Sequence, residues 1–251
     1  MKHFDFQYIG AVRLHEQPSP TSYLHDLPVV RHLKEQNTLE FHKPVTFFVG
    51  ENGTGKSTLL EAIAVASGFN PEGGTRNFNF ATNETHSELY RHIVLSRYAY
   101  PTDGFFLRAE SLYNVATNID EMDEDPAGGA LIIDSYGGVS LHHQSHGESF
   151  LSIVLNRFGG NGLYILDEPE AALSPMRLLS LMAAIHELVK KNSQFIISTH
   201  SPILMTYPDA EIYELSEQGI QSVSYEETEH YRLSRRFLEN PEHILRDLLK
   251  D

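Results

Sequence analysis

Apolar residues along the chain gather in short unbroken runs: Pro44–Val49, Leu163–Asp167 and Gln194–Ser198. Each is too short for a helix and rich in β-branched or aromatic side chains, so each reads as a strand buried on both faces, as in a parallel sheet. Between them the period changes. Ser57–Ala66 reads as a mostly buried helix, and Ser149–Arg157 as an amphipathic one. After Pro175, Leu178, Leu181, Met182, Ile185, Leu188 and Val189 keep helical spacing, which predicts a helix covering one face of the sheet. Strands alternating with helices predict an α/β fold with a mostly parallel central sheet flanked by helices.

The rest of the pattern is weaker. Phe4–Leu14 and Thr38–Phe48 read as antiparallel strands around a loop with Pro18, Pro20 and Pro28, an N-terminal β lobe over residues 1–48. That lobe is expected beside the first glycine loop, with Tyr8, Tyr23 and Phe41 as candidates to contact a base. Residues 69–140 read as a helical and irregular insertion. Within it, 70–75 is a loop, Ser87–Arg97 a helix, Leu107–Ile119 a second helix and Asp120–Asp125 an acidic surface loop. Residues 203–251 hold a hairpin, Ala210–Leu215 and Ile220–Tyr225, and a closing helix, Pro241–Leu249. The whole chain, 1–251, reads as one domain.

The strand ends carry the chemistry. Gly50, Glu51, Asn52, Gly53, Thr54, Gly55, Lys56, Ser57 and Thr58 follow the first strand and fit G-x-x-x-x-G-K-[ST], with a helix behind them. Gly50, Gly53 and Gly55 let the backbone curl until successive N–H groups face one anion, and the helix N-terminus adds partial positive charge. Lys56 is expected on the β- and γ-phosphates of ATP and the Ser57 hydroxyl on Mg²⁺. The second strand stops in adjacent carboxylates, whose desolvation a bound cation would offset. Asp167 is then the Mg²⁺ ligand and Glu168 the base that orients and deprotonates water. The third strand ends at Thr199 and His200, which places His200 to hydrogen-bond a γ-phosphate. Ser145, Gly147 and Glu148 form a Ser-x-Gly turn at a helix start, an anion site through its free N–H groups. One phosphate cannot easily use two helix N-termini of one chain and an in-line water, so this turn is expected to serve ATP bound to a second copy.

These segments, in this order, resemble the ABC ATPase superfamily. By that resemblance Gly50–Thr58 is the Walker A loop, Ser145–Glu148 the signature motif, Asp167 and Glu168 Walker B with the catalytic glutamate, Ala172–Ser174 the D-loop, and His200 the switch histidine. The family implies two subunits sandwiching two ATP molecules. The wording DEPE, THSP and SHGES is similar to the soluble branch of structural-maintenance-of-chromosomes, RecF-like and overcoming-lysogenization-defect-like ATPases, and to small bacterial AAA/ABC-like ATPases. The family's Q-loop glutamine has no counterpart, since no glutamine lies between Ser57 and His143. Arg108 or Glu110 could substitute for it, or be plain surface residues.

Composition limits the function. With 34 acidic against 19 basic residues and a net charge of −15, the subunit alone is not expected to bind nucleic acid nonspecifically. Arg232, Arg235 and Arg236 read as a solvated helix face. His142, His143 and His146 lack a carboxylate or thiol partner and overlap the signature turn, which argues against a metal cluster. Zero cysteines exclude thiol catalysis and disulfides, and a reducing cytoplasm is the expected location. No run approaches the ~18 apolar residues of a membrane span, and no sustained heptads lie between Ser57 and Ser145, which excludes a long coiled-coil arm. The expectation is an ATP-hydrolysing homodimer acting on a protein effector, in DNA repair or phage defence for example. The alternatives are a transporter's ATP-binding subunit and a slow nucleotide-gated switch.

Overall fold

The computed structural model describes residues 7–76, 87–124 and 131–249. Two sheets organise the chain. The smaller is antiparallel and consists of β1 (Ile9–Leu14), flanked by β2 (Thr38–Glu40) and β4 (Ile93–Arg97). The larger has six strands in the order β5 (Asp103–Arg108), β6 (Gly162–Asp167), β7 (Gln194–Ser198), β3 (Val45–Gly50), β8 (Glu211–Ser216), β9 (Gly219–Val223). All pairs are parallel except the terminal β8–β9 hairpin.

Burial on both faces explains the unbroken apolar runs. Phe47, Phe105, Tyr164, Leu166, Phe195 and Ile197 point into one core, packed by α3 (Leu112–Asp123), α4 (His146–Ser152) and α5 (Pro175–Lys190). Phe48, Phe106, Leu163, Ile165 and Ile196 point into the other, packed by α1 (Pro28–Gln36), α2 (Lys56–Ala66) and the antiparallel sheet. Each such side chain contributes about 1.5–3 kcal/mol, so the sheet is the most rigid scaffold the chain has. Two short amphipathic helices, α6 (Glu229–Glu239) and α7 (Pro241–Leu248), close the chain and have no buried residue.

Several expected boundaries move. Thr38–Phe48 is not one strand: β2 joins the antiparallel sheet and β3 the parallel one, with a break at residues 41–44. Residues 4–6 of the expected first strand lie outside the described residues. The proline loop holds α1, which starts with Pro28 at its first position, where the missing N–H costs nothing. Ser87–Arg97 is a 3₁₀ turn (Glu88–Arg91) followed by β4, and Leu107–Ile119 divides between β5 and α3. Helix α3 runs to Asp123, so most of the acidic stretch is helical; Asp125 lies outside the described residues. Among its described residues, segment 69–140 is therefore more than a helical and irregular insertion. It supplies a strand to each sheet, because Phe105, Phe106 and Leu107 are fully buried beside β6.

Candidate functional site

Register sets the site. Asp167 is paired laterally with Ser198 on β7 and with Arg108 on β5, and Phe48, two residues before Gly50, pairs with Ser198. Four parallel strands thus end together, where ligands collect in open α/β sheets.

The phosphate-type loop is fixed at both ends. Gly50 has φ +127°, and a Cβ there would overlap the Leu215 carbonyl oxygen of β8. Gly55, the N-cap of α2 at φ +96°, lies under Val29 of α1, whose Cγ1 would be 2.6 Å from an added Cβ. Thr54 Oγ1 donates to Glu51 O at 2.9 Å, while Glu51, Asn52 and Gly53 face solvent. Lys56 is buried, and its Nζ donates to Gly50 O at 2.7 Å and Glu51 O at 2.8 Å. Burial pulls its ammonium below the ordinary value, opposed by Glu168, Asp167, Glu170 and Glu51. Thr58 sits half-buried one position beyond Ser57 on α2.

The Ser57 hydroxyl donates to Asp167 Oδ1 at 3.1 Å, and Ser198 Oγ donates to the same oxygen. Burial raises Asp167 above the usual carboxylate range, although Ser198, Arg108 and Ser57 all oppose the shift. A buried carboxylate beside a hydroxyl is an oxygen donor set suited to a hard divalent cation, with phosphate and water completing it. Ser57 and Asp167 therefore fit Mg²⁺.

Glu168 follows in the left-handed region, φ 48° and ψ 55°. Its N–H is held by Ser198 O at 3.2 Å and Ser198 Oγ at 3.1 Å, and its carboxylate Oε1 is 3.5 Å from His200 Nε2. A non-glycine residue in that region costs about 1 kcal/mol and persists where the surroundings impose it. His200 is partly buried. Burial, then Lys56 and His230, push its imidazole down to about 4, so it is neutral near pH 7. Lys56, Asp167, Glu168 and His200, from three strand ends, thus sit within one another's electrostatic reach.

Ser145, Gly147 and Glu148 form a second cluster. Ser145 N and Oγ both donate to Glu148 Oε2, at 2.9 and 2.6 Å, closing a capping box on α4. Arg177 of α5 donates to Ser145 Oγ at 3.2 Å and to Glu148 Oε1 at 3.1 Å. Gly147 lies against Arg177 and the Ala172 carbonyl, where an added Cβ would overlap both. The Ser145 and Glu148 side chains are thus engaged with one another and with Arg177.

Three residues beyond the expected ones, Glu170, Arg177 and His230, belong here together with Arg108. Arg108 pairs with Glu61 Oε2 at 2.8 Å and with Glu110, and its Nε is 3.5 Å from Asp167 Oδ2. Of the two possible Q-loop substitutes, Arg108 thus faces the site, whereas the Glu110 side chain is 73% exposed. Glu170 accepts from Thr199 Oγ1 at 2.8 Å and from His200 N, holding the third strand end. Arg177 and His230 are the others, and no local sequence signal points to either, since each meets its partner across 30 or more positions of chain. Of the base-contact candidates, Tyr8 and Phe41 are buried in the core, while Tyr23 is exposed. Among the described residues no helix is long and apolar enough to cross a membrane.

Comparison with known proteins agrees with this geometry. A family model described as "AAA domain" matches residues 29–102, which include the glycine loop. A second, "AAA domain, putative AbiEii toxin, Type IV TA system", matches residues 130–206, which include the Ser145 turn, Asp167, Glu168 and His200. No curated protein matches the sequence. Among solved structures, cbiO1 from Clostridium perfringens, part of the ABC transporter complex cbiONQ, superposes with a TM-score of 0.53 at 17% identity, over 95% of this chain and 99% of that one. The SMC head domain from Thermotoga maritima gives 0.44 at 14% identity, over 87% and 99%. One AAA-type match thus spans the glycine loop and the other spans the Ser145 turn, Asp167, Glu168 and His200, on a fold shared with cbiO1 over nearly its full length; together these support an ABC/AAA-like P-loop ATPase.

Proposed function

We propose that the protein binds Mg²⁺·ATP at the Gly50–Thr58 loop and hydrolyses it as an ATP-sandwich homodimer. The observation that carries this reading is the gathering of Lys56, Asp167, Glu168 and His200 at adjacent parallel strand ends. In this reading Lys56 leaves the Gly50 and Glu51 carbonyls for the β- and γ-phosphates, and Ser57 and Asp167 hold the cation. Bound Mg²⁺ supplies charge neutralisation. Glu168 accepts a proton from water as the water oxygen bonds to the γ-phosphorus and the bond to the bridging oxygen breaks, releasing ADP. His200 donates to a γ-phosphate oxygen. The Ser145–Glu148 turn at the start of α4, whose Ser145, His146 and Glu148 are exposed, acts from the partner copy. The dimer would couple this cycle to a protein effector.

Glu168→Gln tests the reading. The variant should bind ATP, lose turnover about 100-fold or more, and accumulate as a dimer by light scattering. Parent-like phosphate release would move the base elsewhere. A parent protein that binds ATP without releasing phosphate would instead be a nucleotide-gated switch. The likeness to cbiO1 supports a second reading, the ATP-binding subunit of a transporter, and recovery of a membrane-spanning partner with the Glu168→Gln protein would favour it.

A further inference from the structure

Helix α6 lies far from every motif in sequence, yet it reaches the nucleotide side of the sheet. Thr228, fully buried, caps its first turn by accepting from Tyr231 N at 3.2 Å, and Glu229 N donates to Glu214 Oε1 on β8 at 2.9 Å. The turn so fixed holds His230 beside His200, with ring centroids 5.0 Å apart and His200 Nδ1 2.9 Å from His230 Nε2. Burial, then Lys56, keep the His230 imidazole below its ordinary value.

Two neutral imidazoles can share one proton between these nitrogens in two ways. If His200 Nδ1 carried it, His200 Nε2 would be a bare lone pair facing Glu168 Oε1 at 3.5 Å. The buried Nδ1 of His230, which has no hydrogen-bond partner among the described residues, would then carry an unsatisfied proton. Both features cost free energy. If His230 Nε2 donates, His200 Nε2 carries the proton toward the carboxylate, and His230 Nδ1 is left as a lone pair, the less costly orphan.

We propose that His230 is a positioning residue for His200, donating from Nε2 to Nδ1 so that His200 presents its Nε2–H to the γ-phosphate side. This deepens the hydrolysis reading and rests on it for the role of His200, while the proton's location stands independently. A His200 locked as an Nε2 donor is ready for a phosphate oxygen without rotating or exchanging a proton.

The test uses the full chain labelled with ¹⁵N, with the His200 signals assigned by their loss in His200→Gln. Long-range proton–nitrogen correlation near pH 7.5 should find His200 protonated at Nε2 and unprotonated at Nδ1. His230→Gln, which keeps a donor, should preserve that pattern and most of kcat. His230→Phe should mix the tautomers and lower kcat about tenfold, with ATP affinity within about twofold of the parent. A parent His200 protonated at Nδ1, or a His230→Phe protein with unchanged His200 nitrogens, overturns the proposal. If His230→Phe does not fold, the parent and His230→Gln spectra decide. Absence of phosphate release from the parent would sink the hydrolysis reading and leave the nitrogen spectra to judge the tautomer.

Discussion

Ser57 Oγ donates to Asp167 Oδ1 across 3.1 Å, joining the first turn of α2 to the end of β6. Both are oxygen donors on rigid elements, so in the proposed reading the pair would hold the cation from fixed positions. Asp167→Asn keeps the shape and one acceptor but removes the charge. Its stability should stay within about 1 kcal/mol of the parent, since the remaining amide oxygen can still accept from Ser57 and Ser198. The Mg²⁺-dependent gain in ATP affinity should fall at least about tenfold. Calorimetric titration with and without Mg²⁺ checks both.

Glu168 holds the left-handed backbone on a residue type that avoids it. Glu168→Gly should therefore relieve about 1 kcal/mol and raise Tm by about 2–4 °C, while phosphate release drops about 100-fold. Scanning calorimetry alongside a phosphate assay reads the two opposite effects. A lower Tm would mean that the Glu168 side chain stabilises the fold.

Arg108 and Glu61 form a largely buried pair, with side chains 16% and 10% exposed. Glu61 also accepts from Ser87 N at 2.6 Å, tying the pair to the start of the turn before β4. Arg108→Met alone should cost about 3 kcal/mol, because Glu61 and Asp167 lose their counter-charge. Adding Glu61→Gln should recover a large part of it. Urea unfolding of the four proteins in the cycle measures the coupling, and strictly additive losses would dismiss it.

The parallel core and the placement of Gly50, Asp167 and His200 at its strand ends were legible because buried strands leave unbroken apolar runs and the phosphate-type loop has fixed spacing. Helix α1 was hidden by Pro28, read as loop punctuation although proline suits a first helical position. Strand β5 was hidden because Asp103–Arg108 is followed at once by α3, and the joined apolar pattern resembled one helix. Arg177 and His230 were invisible for a different reason. Their roles come from side chains meeting across 32 and 30 positions of sequence, and no local period records such a meeting.

His200 should also mark the acid side of the stability curve. Below about pH 6.5 an unfolded chain protonates this imidazole, whereas the folded chain resists until about 4, so stability falls as pH drops through that window. After allowance for partial exposure the loss near pH 5 is about 1 kcal/mol. Against the parent, His200→Gln should lose less stability between about pH 7.5 and about pH 5. Parallel Tm–pH curves for the two proteins would remove the effect.

Arg177 bonds both Ser145 and Glu148 from the first turn of α5. Arg177→Ala should leave ATP binding to the monomer within about twofold of the parent, because its hydrogen bonds run to Ser145 and Glu148. Dimer formation with ATP in the Glu168→Gln background should weaken. Light scattering separates these outcomes, and equal loss of monomer affinity would move the turn into its own chain's site.

The Gly50 backbone lies so close to the Leu215 carbonyl that not even a methyl group fits between them. The root of the nucleotide cradle is consequently as stiff as the sheet itself. Any change of shape that accompanies loading must be absorbed by the side chains and loops around it, and the hairpin strand at its back serves as a fixed wall against which they move.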